Sequence, residues 1–143
     1  MFRQLSDHVY ASPQIGLGEV AEAAATGIRL IVNNRPEDES DDQTPGAEIE
    51  SAARASGLDY VAIPVTHAGF SEWQIKAMAG ALAKAGGPVL AYCRSGTRST
   101  LLWALAEASA GRNPDDLSTA AAKAGYDLTS IRAMLDMLAA GKP

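Results

Sequence analysis

"VLAYCRSGTRS", residues 89–99, contains the only cysteine of the 143-residue chain and decides how the rest is read. Val89 to Tyr92 is a short, uninterrupted apolar run, the pattern of a strand buried on both faces. From Arg98 the apolar residues take up helical spacing, with Leu101, Leu105 and Ala108 on one stripe and Gly111 as the stop. Between these two segments Arg94-Ser95-Gly96-Thr97 must turn tightly, and Gly96 can supply the positive φ that such a turn needs. A strand, a tight turn and a helix start in that order aim several backbone N–H groups at one point, where the helix adds its partial positive charge. A thiol held there loses its proton more easily, so Cys93 is a candidate nucleophile. Arg98 can grip two oxygens of a bound oxyanion with its planar fork. Ser95, Gly96 and Thr97 complete an anion-binding loop. Ser99 stands where its hydroxyl can reach the thiolate, while Arg94 either points outward or lends charge to the rim. A cysteine that merely fills space under a helix is the plainer reading, but it leaves a glycine and two arginines in one turn unexplained.

Elsewhere, apolar runs of strand length alternate with Ala-rich helical segments, which predicts an α/β fold with a parallel or mixed sheet covered by helices. Val9–Gln14, Arg29–Asn33, Leu58–Val65 and Val89–Tyr92 read as strands. Helices are expected over Leu17–Ala25, from Thr44-Pro45 to Gly57, from Ser71 to Gly86, from Arg98 to Gly111, and from Asn113-Pro114 to about Ala124. Ser71 and Gln74 have capping-box spacing. Asp127 can cap a last helix carrying the stripe Leu128, Ile131, Leu135 and Leu138. Trp73 and Trp103 fall on helices with core stripes and need no ligand to explain them. No linker, repeat or low-complexity block divides the chain, so a single domain over 1–143 with a helical C-terminal third is expected.

Composition narrows the function. The net charge of −5 weighs against general nucleic-acid or anionic-membrane binding, both of which require clustered Lys and Arg. No apolar run is long enough for a signal peptide or a membrane span, and the lone cysteine suggests no oxidising compartment, so a cytoplasmic location is expected. His8, His67 and Cys93 show no metal-ligand spacing; neither a metal nor a cofactor is implied. The acidic run Glu37-Asp38-Glu39-Ser40-Asp41-Asp42 reads as a solvated loop. Arg35, just before Pro36, either reaches the C-terminal edge of the sheet, where open α/β folds bind ligands, or pairs with that acidic loop.

Three stretches, "LIVNNRPEDE" (30–39), "YVAIPV" (60–65) and "GPVLAYCRSGTRS" (87–99) with "LWALAEA" (102–108) after it, resemble the phosphatase-like domain of the beta-lactamase hydrolase-like proteins, a group similar to dual-specificity phosphatases. The resemblance runs from about residue 8 to 135. It implies the three-layer cysteine-phosphatase fold, a mostly parallel sheet of four to five strands between helices, with Cys93 as nucleophile and Arg98 as the phosphate-binding arginine. Two departures stand out. Cysteine phosphatases carry His before the cysteine and one residue more before the arginine, whereas this chain has Tyr92 and only four residues between Cys93 and Arg98. That shorter loop is similar to the active loop of single-domain rhodaneses, which carry a persulfide on the cysteine, although the upstream rhodanese patterns are missing. The aspartate acid of the phosphatases has no counterpart. His67 falls in its place, either as a substitute acid, since imidazolium donates a proton near neutral pH, or as an ordinary exposed loop histidine. Two chemistries on a small anionic substrate therefore stay open, phosphate monoester hydrolysis and sulfur transfer from a sulfane-sulfur donor. A non-catalytic anion-binding module is the third reading.

Overall fold

A computed structural model of the chain describes residues 2–141. The elements in order are β1 (Arg3–Gln4), β2 (Val9–Ser12), α1 (Leu17–Ala25), β3 (Leu30–Asn33), α2 (Gly46–Ala55), β4 (Asp59–Ala62), α3 (Glu72–Lys84), β5 (Val89–Tyr92), α4 (Thr97–Ser109), α5 (Pro114–Lys123), a 3₁₀ turn (Thr129–Ile131) and α6 (Arg132–Ala140). The sheet runs β1-β2-β5-β3-β4, parallel throughout except for the antiparallel edge strand β1. The expected α/β architecture and mostly parallel sheet are therefore present, with five strands. β1 is the element with no signal in the sequence: two exposed residues are too few to show a period.

Alternation along the strands explains the layers. On β5, Val89 and Ala91 face the core built with α3, α4, α5 and α6, whereas Leu90 and Tyr92 face the core built with α1 and α2. β3 divides in the same way, Leu30 and Val32 to one side and Ile31 to the other. Both cores are apolar on the strand side, which is why these strands read as continuous hydrophobic runs. α4 is buried along most of its length, with Trp103, Leu102 and Leu105 fully enclosed, so the helix leading away from Cys93 is the central helix of its layer.

Local rules set the helix ends. The Asn113 side chain accepts the Asp115 N–H at 2.7 Å and Pro114 begins α5, a cap that contributes about 1 kcal/mol. Gln74 accepts the Ser71 N–H at 2.8 Å at the start of α3, as its spacing predicts. Two expectations shift. α2 starts at Gly46, with Pro45 as its cap, because Glu37 reaches across to accept the Gly46 N–H at 2.9 Å. Trp73 is 56% exposed rather than core, because it lies in the first turn of α3 on the side away from Ile75 and Met78.

Register places the site. Ser12, Tyr92, Asn33 and Ala62 pair across the four parallel strands, so the residues that follow them all leave the sheet at one edge. Cys93 is the first residue beyond β5, between β2 and β3, where the loops after those strands can reach it.

Candidate active site

Cys93 is fully buried, its N–H donating to the Ser12 carbonyl at 3.3 Å. The chain then reverses within three residues into α4. Gly96 caps the helix at φ 91°, and its N–H donates to Cys93 Sγ at 3.1 Å. This amide is aimed at sulfur from the positive end of the helix. The Ser95 hydroxyl donates to Thr97 Oγ1 at 3.0 Å and accepts the Thr97 N–H at 3.3 Å. Thr100 donates through its hydroxyl to the Gly96 carbonyl at 2.8 Å. The turn is thereby fixed by its own short polar side chains.

A tyrosine from the C-terminal third braces the loop from outside. Tyr126 donates to the Ser95 carbonyl at 3.1 Å, and a Cβ placed on Gly96 would lie 2.1 Å from the Tyr126 hydroxyl oxygen. Gly96 is required twice over, for positive φ and for this close approach. Burial pushes the Tyr126 phenol up, so it remains a proton donor. The guanidinium of Arg3 sits 5.2 Å from the centre of its ring.

Arg98, in the first turn of α4, lies near the Cys93 thiol. Its Nη1 donates to Glu39 Oε2 and to the Val65 carbonyl, both at 2.7 Å, and its Nη2 donates to Glu39 Oε1 at 2.9 Å. Glu39 also accepts from Arg35 Nε at 2.9 Å. The two guanidinium groups, led by Arg98, outweigh the cost of burial and hold the Glu39 carboxyl down at about 2. Glu39 first, and then the thiol of Cys93, favour the charged form of Arg98. The acidic run is thus only partly the solvated loop expected: Asp38, Asp41 and Asp42 are exposed, but Glu39 turns inward. Asp38 at φ 62° makes that turn.

Several other expectations are refined. Arg35 does pair with the acidic loop, and at 4% exposure it lies beneath the rim, not on it, donating also to Gln14 Oε1 at 3.0 Å and Ser40 Oγ at 3.1 Å. The Ser99 hydroxyl donates to Asn34 Oδ1 at 2.8 Å rather than to the sulfur. Asn34 passes the connection on through Nδ2 to the Ile63 carbonyl at 2.8 Å, tying α4, β3 and the end of β4 together under the site. Arg94 is exposed and near enough to the acidic loop to help lower the Asp42 carboxyl, after Ser40 and the Asp42 backbone, while its carbonyl accepts the Gln14 N–H at 3.2 Å. Tyr92, in the place of the usual histidine, projects into the α1–α2 core, where burial pushes its phenol up and no partner meets its hydroxyl among the described residues. His67 is exposed on the loop after β4, two residues beyond the Val65 carbonyl that holds Arg98.

Geometry therefore brings together a thiol, a helix N-terminus and an arginine at the sheet edge. Residues 1–110 match the family described as beta-lactamase hydrolase-like protein, phosphatase-like domain. The chain belongs to that family. As a phosphatase-like domain it is similar to the beta-lactamase hydrolase-like protein of Agrobacterium fabrum, with 32% identity over 141 residues, 98% of this chain and 33% of the relative. A Xylella fastidiosa protein of the same name is 38% identical over 126 residues, 87% of this chain and 29% of its own. The chain thus spans about a third of the length of these curated relatives. A Neisseria meningitidis structure described as a "putative phosphatase" matches with 33% identity and a TM-score of 0.83, over 95% of this chain and 96% of that one. Tk-PTP, at 17% identity and a TM-score of 0.73 over 98% of this chain and 97% of that one, shares the fold. The phosphatase-like domain is accordingly of the phosphatase kind, on the fold of the protein tyrosine phosphatases.

Asn34, Glu39, Gln14 and Tyr126 contribute to this site without having been singled out in the sequence. Asn34 and Glu39 lie within "LIVNNRPEDE", so a signal for them was present in the stretch that carries the family likeness. Tyr126 and Gln14 have no local signal.

Proposed function

We propose that this domain hydrolyses phosphate monoesters through a phosphocysteine on Cys93. The observation that carries the reading is the convergence of the Gly96 amide and Arg98 on the Cys93 thiol at the end of β5. The thiolate attacks phosphorus; the S–P bond forms as the bond to the ester oxygen breaks, and the leaving oxygen takes a proton. His67 is the proposed donor, on a loop tied to Arg98 through the Val65 carbonyl. Arg98 and the loop amides hold the oxygens of the transferring group, which suits a step that is mostly charge stabilisation. Water then attacks phosphorus, releases inorganic phosphate and returns the thiolate.

The four-residue spacing between Cys93 and Arg98 favours one second reading, sulfur transfer through a persulfide on Cys93. A thiosulfate donor leaves as a stable anion and needs no acid, so this route makes no use of His67. Parallel assays separate the two: aryl phosphate hydrolysis, and thiosulfate-to-cyanide sulfur transfer, each with wild type and Cys93→Ser. Phosphate release by wild type and none by the serine variant supports the proposal. Sulfur transfer without phosphate release replaces it, and phosphate release that survives in Cys93→Ser removes Cys93 as the nucleophile.

A further inference from the structure

We propose that Glu39 is a positioning residue for Arg98, a carboxylate clasp that turns one edge of the guanidinium toward the oxyanion. The inference rests on the phosphatase reading of Cys93 and Arg98 and adds a residue from the acidic loop to it. A guanidinium has five N–H donors in one plane. Arg98 commits three: both hydrogens of Nη1, one to Glu39 Oε2 and one to the Val65 carbonyl, and one hydrogen of Nη2, to Glu39 Oε1. The two that remain, on Nε and Nη2, share one edge of the plane and are parallel. That edge is the one a tetrahedral oxyanion grips in a fork geometry.

The clasp is itself held. Glu39 Oε1 also accepts from Arg35 Nε, and Arg35 is nearly sealed and anchored on Gln14 and Ser40. The Glu39 N–H donates to Gln43 Oε1 at 3.0 Å, and Gln43 Nε2 donates back to the Pro36 carbonyl at 2.9 Å, closing the loop on itself. Charge alternates outward from the cysteine: Arg98 positive, Glu39 negative, Arg35 positive. In this order Glu39 neutralises the far end of Arg98 without occupying the near one. A carboxylate that blocked the pocket would instead sit on the Nε–Nη2 edge, in the oxyanion's place.

Orthovanadate binding to the full chain, measured by calorimetry, tests the assignment. Wild type binds; Arg98→Ala weakens binding strongly; Glu39→Gln weakens it about tenfold, and adds nothing in the Arg98→Ala background, because two residues acting as one unit are not additive. Glu39→Asp keeps the charge but is one methylene short, so it also weakens binding, which separates orientation from loss of charge. Tighter binding by Glu39→Gln overturns the clasp in favour of a plug. An equal loss in both backgrounds, or full affinity in Glu39→Asp and Glu39→Gln, also overturns it while leaving the phosphatase reading intact. Absence of vanadate binding by wild type, or full binding by Arg98→Ala, fails that reading and the clasp with it.

Discussion

Replacing Glu39 by glutamine should destabilise the protein at neutral pH and should not at low pH. Glu39 titrates at about 2 in the folded chain against an ordinary value of 4.5. At about 1.4 kcal/mol per pH unit this difference corresponds to about 3–4 kcal/mol. The carboxylate keeps 18% of its side-chain surface in solvent, and screening there brings the expected figure to about 2 kcal/mol. The same scale follows from the other side of the pair, since the variant leaves Arg35 and Arg98, 4% and 12% exposed, without their counter-charge. The sign is that of a depressed acid: the stabilisation is complete above the unfolded value of 4.5 and is lost as pH falls through about 2. Urea unfolding of wild type and Glu39→Gln at a series of pH values, followed by circular dichroism, reads the gap directly, because every other carboxylate cancels in the difference. A gap of about 2 kcal/mol at pH ~7 that narrows steadily below pH ~4.5 is expected. A gap that stays constant down to pH ~3, or none at neutral pH, would refute the paired-arginine account of Glu39.

The remaining expectations concern the loop and its surroundings. Gly96→Ala should cost about 2 kcal/mol or more, from a side chain at φ 91° and a Cβ 2.1 Å from the Tyr126 oxygen; thermal melts check this, and Tyr126→Ala should recover the contact part of the loss but not the backbone part. Tyr126→Phe removes one hydrogen bond to Ser95, so a loss of about 1 kcal/mol is expected together with slower aryl phosphate turnover; unchanged turnover would show that the brace is not needed. His67→Ala should slow hydrolysis most for esters with poor leaving groups and leave thiosulfate sulfur transfer unaffected; equal loss in both assays would end its role as the acid.

Local rules made the frame legible in the sequence. β5, α1 and the starts of α3 and α5 fall where apolar runs, capping residues and Gly or Pro stops put them, because each is set by neighbours within one or two turns. The cysteine loop was legible for the same reason: strand, glycine and helix start are contiguous. Glu39 was misread because its environment comes from a residue 59 positions away, and a run of acids looks solvated until an arginine from another element faces it. Ser99 looked close to the thiol along the chain, but the fold supplies Asn34 as the acceptor of its hydroxyl. Trp73 followed the rule that a tryptophan on an amphipathic helix is core, yet its position in the first turn turns it outward. β1 and the Tyr126 brace are products of tertiary packing alone.

In the proposed reaction Cys93 carries the transferred group. Mixing the protein with excess aryl phosphate, quenching in acid and measuring intact and peptide masses tests it most directly. One phosphoryl group on Cys93 is expected in wild type and none in Cys93→Ser. Phosphate release with no adduct on Cys93 at any quench time, or an adduct on another residue, would contradict it.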